Sequence, residues 1–225
     1  MSDHRLEVLD DANAVHKRGA GLIAGAARAA AAERGRCALA VSGGSDPWPM
    51  FSQLEYLWDD WASTEVFQVD ERVAPAGSDE RNLTHLVESL SIGAQGSIRP
   101  MPVTDEDLEA AADRYAASLP DAIDLAHLGI GPDGHTASLV PGDPVLEVTD
   151  KRVAVTAREY QGVRRMTLTY PELHRVRSLL WVVTGEEKVD ALEKLIAQDP
   201  STPSGRVQPG GDSLILADRA AAPDV

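Results

Sequence analysis

Two hydrophobic periods alternate along this chain. Short apolar runs recur, and longer segments with apolar residues three and four positions apart lie between them. Residues 13–34, NAVHKRGAGLIAGAARAAAAER, have the helical spacing, and Gly35 follows as a helix-ending residue. CALAV then predicts a short strand that runs into a Gly-Gly loop. Residues 47–61 predict a helix with Pro47 at its first position and Trp, Phe, Leu and Tyr on its buried face. EVFQVDERV, residues 65–73, predicts one strand ending in three consecutive charges. Residues 82–90 predict a helix, and residues 105–119 a clearer one with Thr104 as N-cap and acids in its first turn. An apolar run at 123–128 predicts a buried strand, as do RVAVTA, SLLWVVTG and SLILAD further on; the best helix among these is 186–198.

Strands alternating with helices of this kind define an α/β fold, a mostly parallel sheet flanked by helices on both faces. No internal repeat, low-complexity tract or linker divides the chain, so residues 1–225 read as one domain with room for a small subdomain. Polar residues cluster directly after the strands: Ser42, Gly43, Gly44 and Ser45; Asp70, Glu71 and Arg72; residues 131–135; Thr184 and Gly185. Ligands of open parallel sheets bind outside the carboxyl ends of the strands, so the four loops predict a single site on that edge.

Composition narrows the ligand. Of 225 residues, 43% are hydrophobic and 25% charged, which excludes a disordered chain. The net charge of −15 disfavours nucleic acid and anionic membrane, so an anionic ligand must be met by a local group of cations and backbone N–H donors. The single cysteine, Cys37, permits neither an intrachain disulfide nor a cysteine metal cluster and reads as a small buried residue. The first residues lack a signal-peptide pattern and no run approaches 18 apolar residues, so the expectation is a soluble cytoplasmic protein.

Within the loops, SGGSDPWP can serve as an anion-binding loop, because small residues let backbone N–H groups approach a phosphate, or as an ordinary strand-to-helix turn. Asp46 fits an N-cap turned onto the Trp48 amide. Arg165 and Lys188 are the cations placed nearest the anion. Residues 129–134 match the dinucleotide pattern G-x-G-x-x-G, but the match lies past mid-chain, carries Asp133 and is cut off at Pro141-Gly142. A turn holding His135 exposed at a strand end explains the segment better. The remaining histidines (His4, His16, His85, His127 and His174) have no metal-ligand spacing, and no G-x-S-x-G or S-x-x-K supports a serine acyl-enzyme.

In order along the chain, SGGSDP, DERVAP with DERN, GIGPDGHTASLVPG, RMTLT and VTGEEK resemble the motifs of the 6-phosphogluconolactonase family, over about residues 6–220. The resemblance implies a modified Rossmann-like sheet of the sugar-phosphate isomerase and lactonase type. It also implies hydrolysis of 6-phospho-D-glucono-1,5-lactone to 6-phosphogluconate in the oxidative pentose phosphate pathway, with no cofactor and no metal. The partner is then a small phosphorylated sugar lactone, handled by a monomer or small homo-oligomer. His135 would be the general base, Asp70 would position water, imidazole or sugar hydroxyls, and Arg72 would support the loop or the developing charge. Ser42, Gly43, Gly44, Ser45, Arg165 and Lys188 would hold the phosphate, with Asp133 also among the substrate-binding residues. Two positions depart from the family pattern: Asp46 replaces the usual Thr, and Arg81 stands where many members carry Ser. Glucosamine-6-phosphate deaminases, on a related fold, carry a Glu five residues after the histidine; here that position is Val140. A non-catalytic sugar-phosphate-binding protein is the other alternative.

Overall fold

The computed structural model describes residues 4–44, 47–90, 92–208 and 210–222. The first half contains β1 (Arg5–Leu9), α1 (Ala12–Arg34), β2 (Cys37–Val41), α2 (Trp48–Leu54), β3 (Thr64–Gln68), β4 (Asp70–Arg72), α3 (Asn82–Ser89), α4 (Ile92–Gln95) and β5 (Ile98–Arg99). The second contains α5 (Leu108–Ser118), β6 (Leu125–Leu128), β7 (Val153–Val155), β8 (Arg165–Leu168), α6 (Tyr170–Leu173), β9 (Ser178–Val183), α7 (Val189–Ile196) and β10 (Asp212–Asp218). Seven strands form a sheet in the order β1-β10-β9-β6-β2-β3-β5, every ladder of it parallel. A second sheet, β4-β8-β7, is antiparallel.

The strand period of two sorts side chains onto the two faces of the large sheet. From β2, Cys37, Leu39 and Val41 join α1, α2 and α3 on one face, packing with Ile23, Met50, Phe51 and Leu86. Ala38 and Ala40 point to the other face, with Tyr115 of α5, Leu173 of α6, Leu192 of α7 and Met166 of the small sheet. Strand β9 divides likewise: Leu179, Trp181 and Val183 to the second face, Leu180 and Val182 to the first. Both faces being covered explains why β2 and β6 are buried along their whole length. Helix α1 begins where Asp11 accepts from the Ala14 amide at 2.8 Å and ends at Gly35, whose φ is 71°. Burial pushes the Cys37 thiol up to about 12, which leaves it an inert core residue. Among the described residues no helix is long and apolar enough to cross a membrane.

Several element boundaries differ from the sequence-based expectation. Residues 65–73 are two strands in different sheets. The chain changes sheet at Val69, whose N–H donates to Val41 O of the large sheet while its carbonyl accepts from Leu168 N of the small one. The helix expected over 47–61 stops at Leu54, because Leu57 and Trp58 fold back onto the Leu54 carbonyl and the Trp58 indole is drawn to Thr64 Oγ1 at 3.0 Å. Pro47 stands just before the helix and is not its first residue. Helix α5 starts at Leu108, capped by Asp107 on the Ala110 amide, so Thr104 is no cap. The helix expected at 186–198 opens as a 3-10 turn, Glu186–Lys188, before α7. RVAVTA supplies a strand of the antiparallel sheet and not of a β-α unit. Strands β1, β5 and β8 lie outside the expected set; β1 alternates charged and apolar residues at a sheet edge.

Candidate active site

From β2 the chain steps outward to β3 and β5, and β6 then returns to the other side of β2. Strand order reverses there, so the loops after β2 and β6 diverge and leave a crevice between them. A cleft of about 310 Å³ occupies this position. Its walls draw on all four strand-end loops: Ser42, Gly43 and Gly44 after β2; Asp70 and Arg72 on β4; Gly131 and His135 after β6; Thr184 and Lys188 after β9. Arg165 of β8 and Asn82 of α3 complete it. Ser45 and Asp46 lie outside the described residues, and with them the expected cap on Trp48.

The loop after β6 is a tight turn that mounts the imidazole. Gly131 N donates to His135 O and Gly134 N to Gly131 O, both at 2.9 Å, and Thr136 Oγ1 reinforces the turn by donating to Gly129 O. A Cβ at position 131 would lie 2.1 Å from the His135 ring, so only glycine lets the ring rest there. Asp133, expected among the substrate-binding groups, is absent from the cleft walls. Its Oδ1 lies 2.5 Å from His135 Nδ1, and its Oδ2 accepts from the Tyr160 hydroxyl at 3.0 Å. Burial works against the charge of this carboxylate, but the charge of His135 and the hydrogen bonds from His135 and Tyr160 hold it below the ordinary range. An ionised carboxylate only accepts, so Nδ1 carries the proton and Nε2 is the basic nitrogen.

Across the cleft, β4 and β8 set Arg72 directly opposite Arg165. Like charges at opposed positions repel, and an anion between them relieves the repulsion. Arg165 is buried; its Nη2 donates to Gln161 Oε1 at 3.1 Å, its guanidinium lies 5.1 Å from the centre of the Tyr160 ring, and burial lowers its pKa. Arg72 Nη1 donates to Glu80 O and to Asn82 Oδ1 at 3.0 Å. Asn82 in turn presses on Gly43, where a Cβ would stand 2.2 Å from Asn82 Cγ. Asp70, only 4% exposed, accepts from Ser138 Oγ at 2.6 Å. Burial pushes the Asp70 carboxyl up, and the Ser138 hydrogen bond and the charges of Arg165 and Arg72 only partly offset this. Lys188 sits on the turn after β9, its Nζ 3.7 Å from Glu187.

Glu71 faces away from the cleft. Its fully buried carboxylate accepts from the amides of Arg72, Asn82 and Leu83, from Gln68 Nε2 and from Arg81 Nε. It therefore supplies the cap that Arg81 does not give α3. Arg81, whose place in the pattern has no explanation from sequence, is the buried partner of Glu71 and also reaches Met101 O. Asn82, Ser138, Tyr160 and Gln161 are absent from the sequence-based site. Two of them carry a signal there: Asn82 at the end of DERN, and Ser138 within GHTASL.

Fold and cleft together define an open parallel α/β protein with an arginine-lined polar site at its strand switch point. The family model described as glucosamine-6-phosphate isomerases/6-phosphogluconolactonase matches residues 10–216, and the chain belongs to that family. It is 33% identical to a 6-phosphogluconolactonase of Nostoc sp. over 98% of both chains. It is 34% identical to the 6-phosphogluconolactonase of Synechocystis sp., covering 85% of this chain and 86% of that one. Among solved structures, a 6-phosphogluconolactonase from Shewanella baltica superposes with a TM-score of 0.87 at 25% identity, over 96% of this chain and 98% of the other.

Proposed function

We propose that this chain is a lactonase that hydrolyses 6-phospho-D-glucono-1,5-lactone to 6-phosphogluconate, the hydrolytic step of the oxidative pentose phosphate pathway. The observation that carries this reading is the juxtaposition in one cleft of an Asp133-oriented imidazole with the opposed guanidiniums of Arg72 and Arg165. The sequence relatives, which bear the name of this activity, support it. His135 Nε2 takes a proton from water as its oxygen attacks the lactone carbonyl. The tetrahedral intermediate then expels the ring oxygen, and the imidazolium returns the proton to it. Such a base contributes ~10²–10⁴-fold.

Arg165, Lys188 and the backbone at Gly43 and Gly44 hold the phosphate, which supplies binding energy remote from the reacting carbon and orients it. Asp70 receives hydroxyls of the sugar, and Arg72 steadies developing charge. Asp133 acts behind the imidazole, fixing its tautomer, and not on the substrate. The whole chain, 1–225, works as one cytoplasmic domain on a free small molecule. A deaminase reading finds no support at Val140, a buried apolar side chain that cannot carry a proton.

The test is the decay of freshly generated 6-phosphogluconolactone against its spontaneous rate. Wild-type protein accelerates it, and His135→Ala loses about 10²-fold or more of the acceleration. If wild type and variant are equally slow, the proposal is wrong.

A further inference from the structure

The tip of the β7–β8 hairpin touches both halves of the cleft. Tyr160 N donates to Val163 O, and the two residues between them, Gln161 and Gly162, have φ of 55° and 85°. Positive φ at both central residues belongs to the tightest hairpin turns, and for Gln161 it is an unfavoured conformation. The turn delivers three contacts. The Tyr160 hydroxyl donates to Asp133 Oδ2 at 3.0 Å and lies 3.3 Å from His135 Nδ1. The Tyr160 ring meets the imidazole edge-on, with centroids 5.2 Å apart. Its other neighbour is the Arg165 guanidinium, which also donates to Tyr160 O and Gln161 Oε1.

We propose that Tyr160 is a positioning residue. It holds the Asp133 carboxylate so that His135 keeps its proton on Nδ1, and its ring is the platform on which Arg165 waits for the phosphate. Asp133 is 39% exposed on its side chain, so without the phenol Oδ2 turns to water, and the carboxylate is held to the imidazole through Oδ1 alone, which the His135 amide shares at 3.2 Å. Burial and the neighbouring Asp133 charge both raise the Tyr160 pKa, which keeps the hydroxyl protonated and able to donate. The strained turn is what places one side chain against groups from two different loops.

The kinetic part rests on the lactonase reading; the spectroscopic part does not. Tyr160→Phe removes the hydroxyl and keeps the ring. Its kcat falls about tenfold, the kinetic equivalent of one charge-assisted hydrogen bond, with KM within about twofold of wild type. Tyr160→Leu removes the ring as well, and KM for the phosphorylated lactone rises roughly three- to tenfold in addition, the scale of a cation–π contact. The decisive readout is the ¹⁵N spectrum of the His135 imidazole in alkaline buffer. Wild type shows the Nδ1-protonated tautomer, and Tyr160→Phe shows a mixture. A Tyr160→Phe spectrum identical to wild type overturns the proposal whatever the rate, as does an unchanged kcat in an active enzyme. If wild type proves to have no lactonase activity, the functional reading fails and the imidazole spectrum alone decides the role of Tyr160.

Discussion

Glu71→Gln is expected to be among the most damaging conservative changes in the molecule, although Glu71 does not line the cleft. Oε1 accepts from Arg72 N at 2.7 Å and Asn82 N at 2.8 Å; Oε2 accepts from Leu83 N at 2.8 Å, Gln68 Nε2 at 2.9 Å and Arg81 Nε at 3.4 Å. A glutamine offers one acceptor and one NH₂. With its oxygen at the Oε2 position, the NH₂ opposes the amides of Arg72 and Asn82; turned over, it opposes the other three donors. At least two buried donors lose their partner, at about 1.5–3 kcal/mol each for bonds to a charged group, so about 3–6 kcal/mol in all. Breaking a buried ion pair independently suggests about 3–5 kcal/mol. For a chain of this size that lowers the melting midpoint by roughly 6–20 °C. Urea unfolding with the slope m unchanged measures it. Adding Arg81→Met to Glu71→Gln should recover part of the loss, because the unpaired guanidinium is gone. A loss under about 1 kcal/mol for Glu71→Gln alone would refute the network as drawn. Well below the midpoint, lactone turnover also falls, since Asp70 and Arg72 flank Glu71 and Asn82 depends on it.

Three further outcomes follow from the site. Gly131→Ala sets a methyl 2.1 Å from the imidazole, so His135 must leave its seat; kcat is expected to fall at least about tenfold, and a wild-type rate would remove the turn from the mechanism. Asp70→Asn is expected to raise the melting midpoint at neutral pH while lowering activity. Because burial raises the folded-state pKa of Asp70, the wild type loses stability as pH climbs from the ordinary aspartate range through that raised value, and the loss persists at neutral pH. The advantage of Asn therefore shrinks to nothing in acid, and a variant less stable than wild type at neutral pH contradicts the sign. Arg165→Ala is expected to raise KM for the phosphorylated lactone at least about tenfold while leaving an unphosphorylated lactone unaffected; equal effects on both take Arg165 out of the phosphate site.

Much of the architecture is legible along the chain because a two-sided parallel sheet writes itself as short apolar strands between amphipathic helices. Cys37–Val41 and residues 179–183 are apolar on both faces and only five residues long, the mark of a buried strand. The small antiparallel sheet is not legible. EVFQVDERV is one continuous extended run by pattern, and only the competing carbonyl and amide partners of Val69 divide it between two sheets.

The site divides along the same line. Sequence alone determined which strand ends are rich in glycine and charge, that His135 follows a buried strand through a glycine turn, and that position 140 is apolar. These are local properties, set by residues adjacent in the chain. Tertiary structure decided the direction in which each charge acts. Of the neighbours in DER, Asp70 and Arg72 turn into the cleft while Glu71 turns behind it to cap α3, because alternate residues of a strand face opposite ways. Asp133 lies against the imidazole, and Tyr160, 25 residues beyond His135, comes to lie there too. Contacts across such separations depend on the closure of the β7–β8 hairpin over the loop after β6, and no local pattern records that closure.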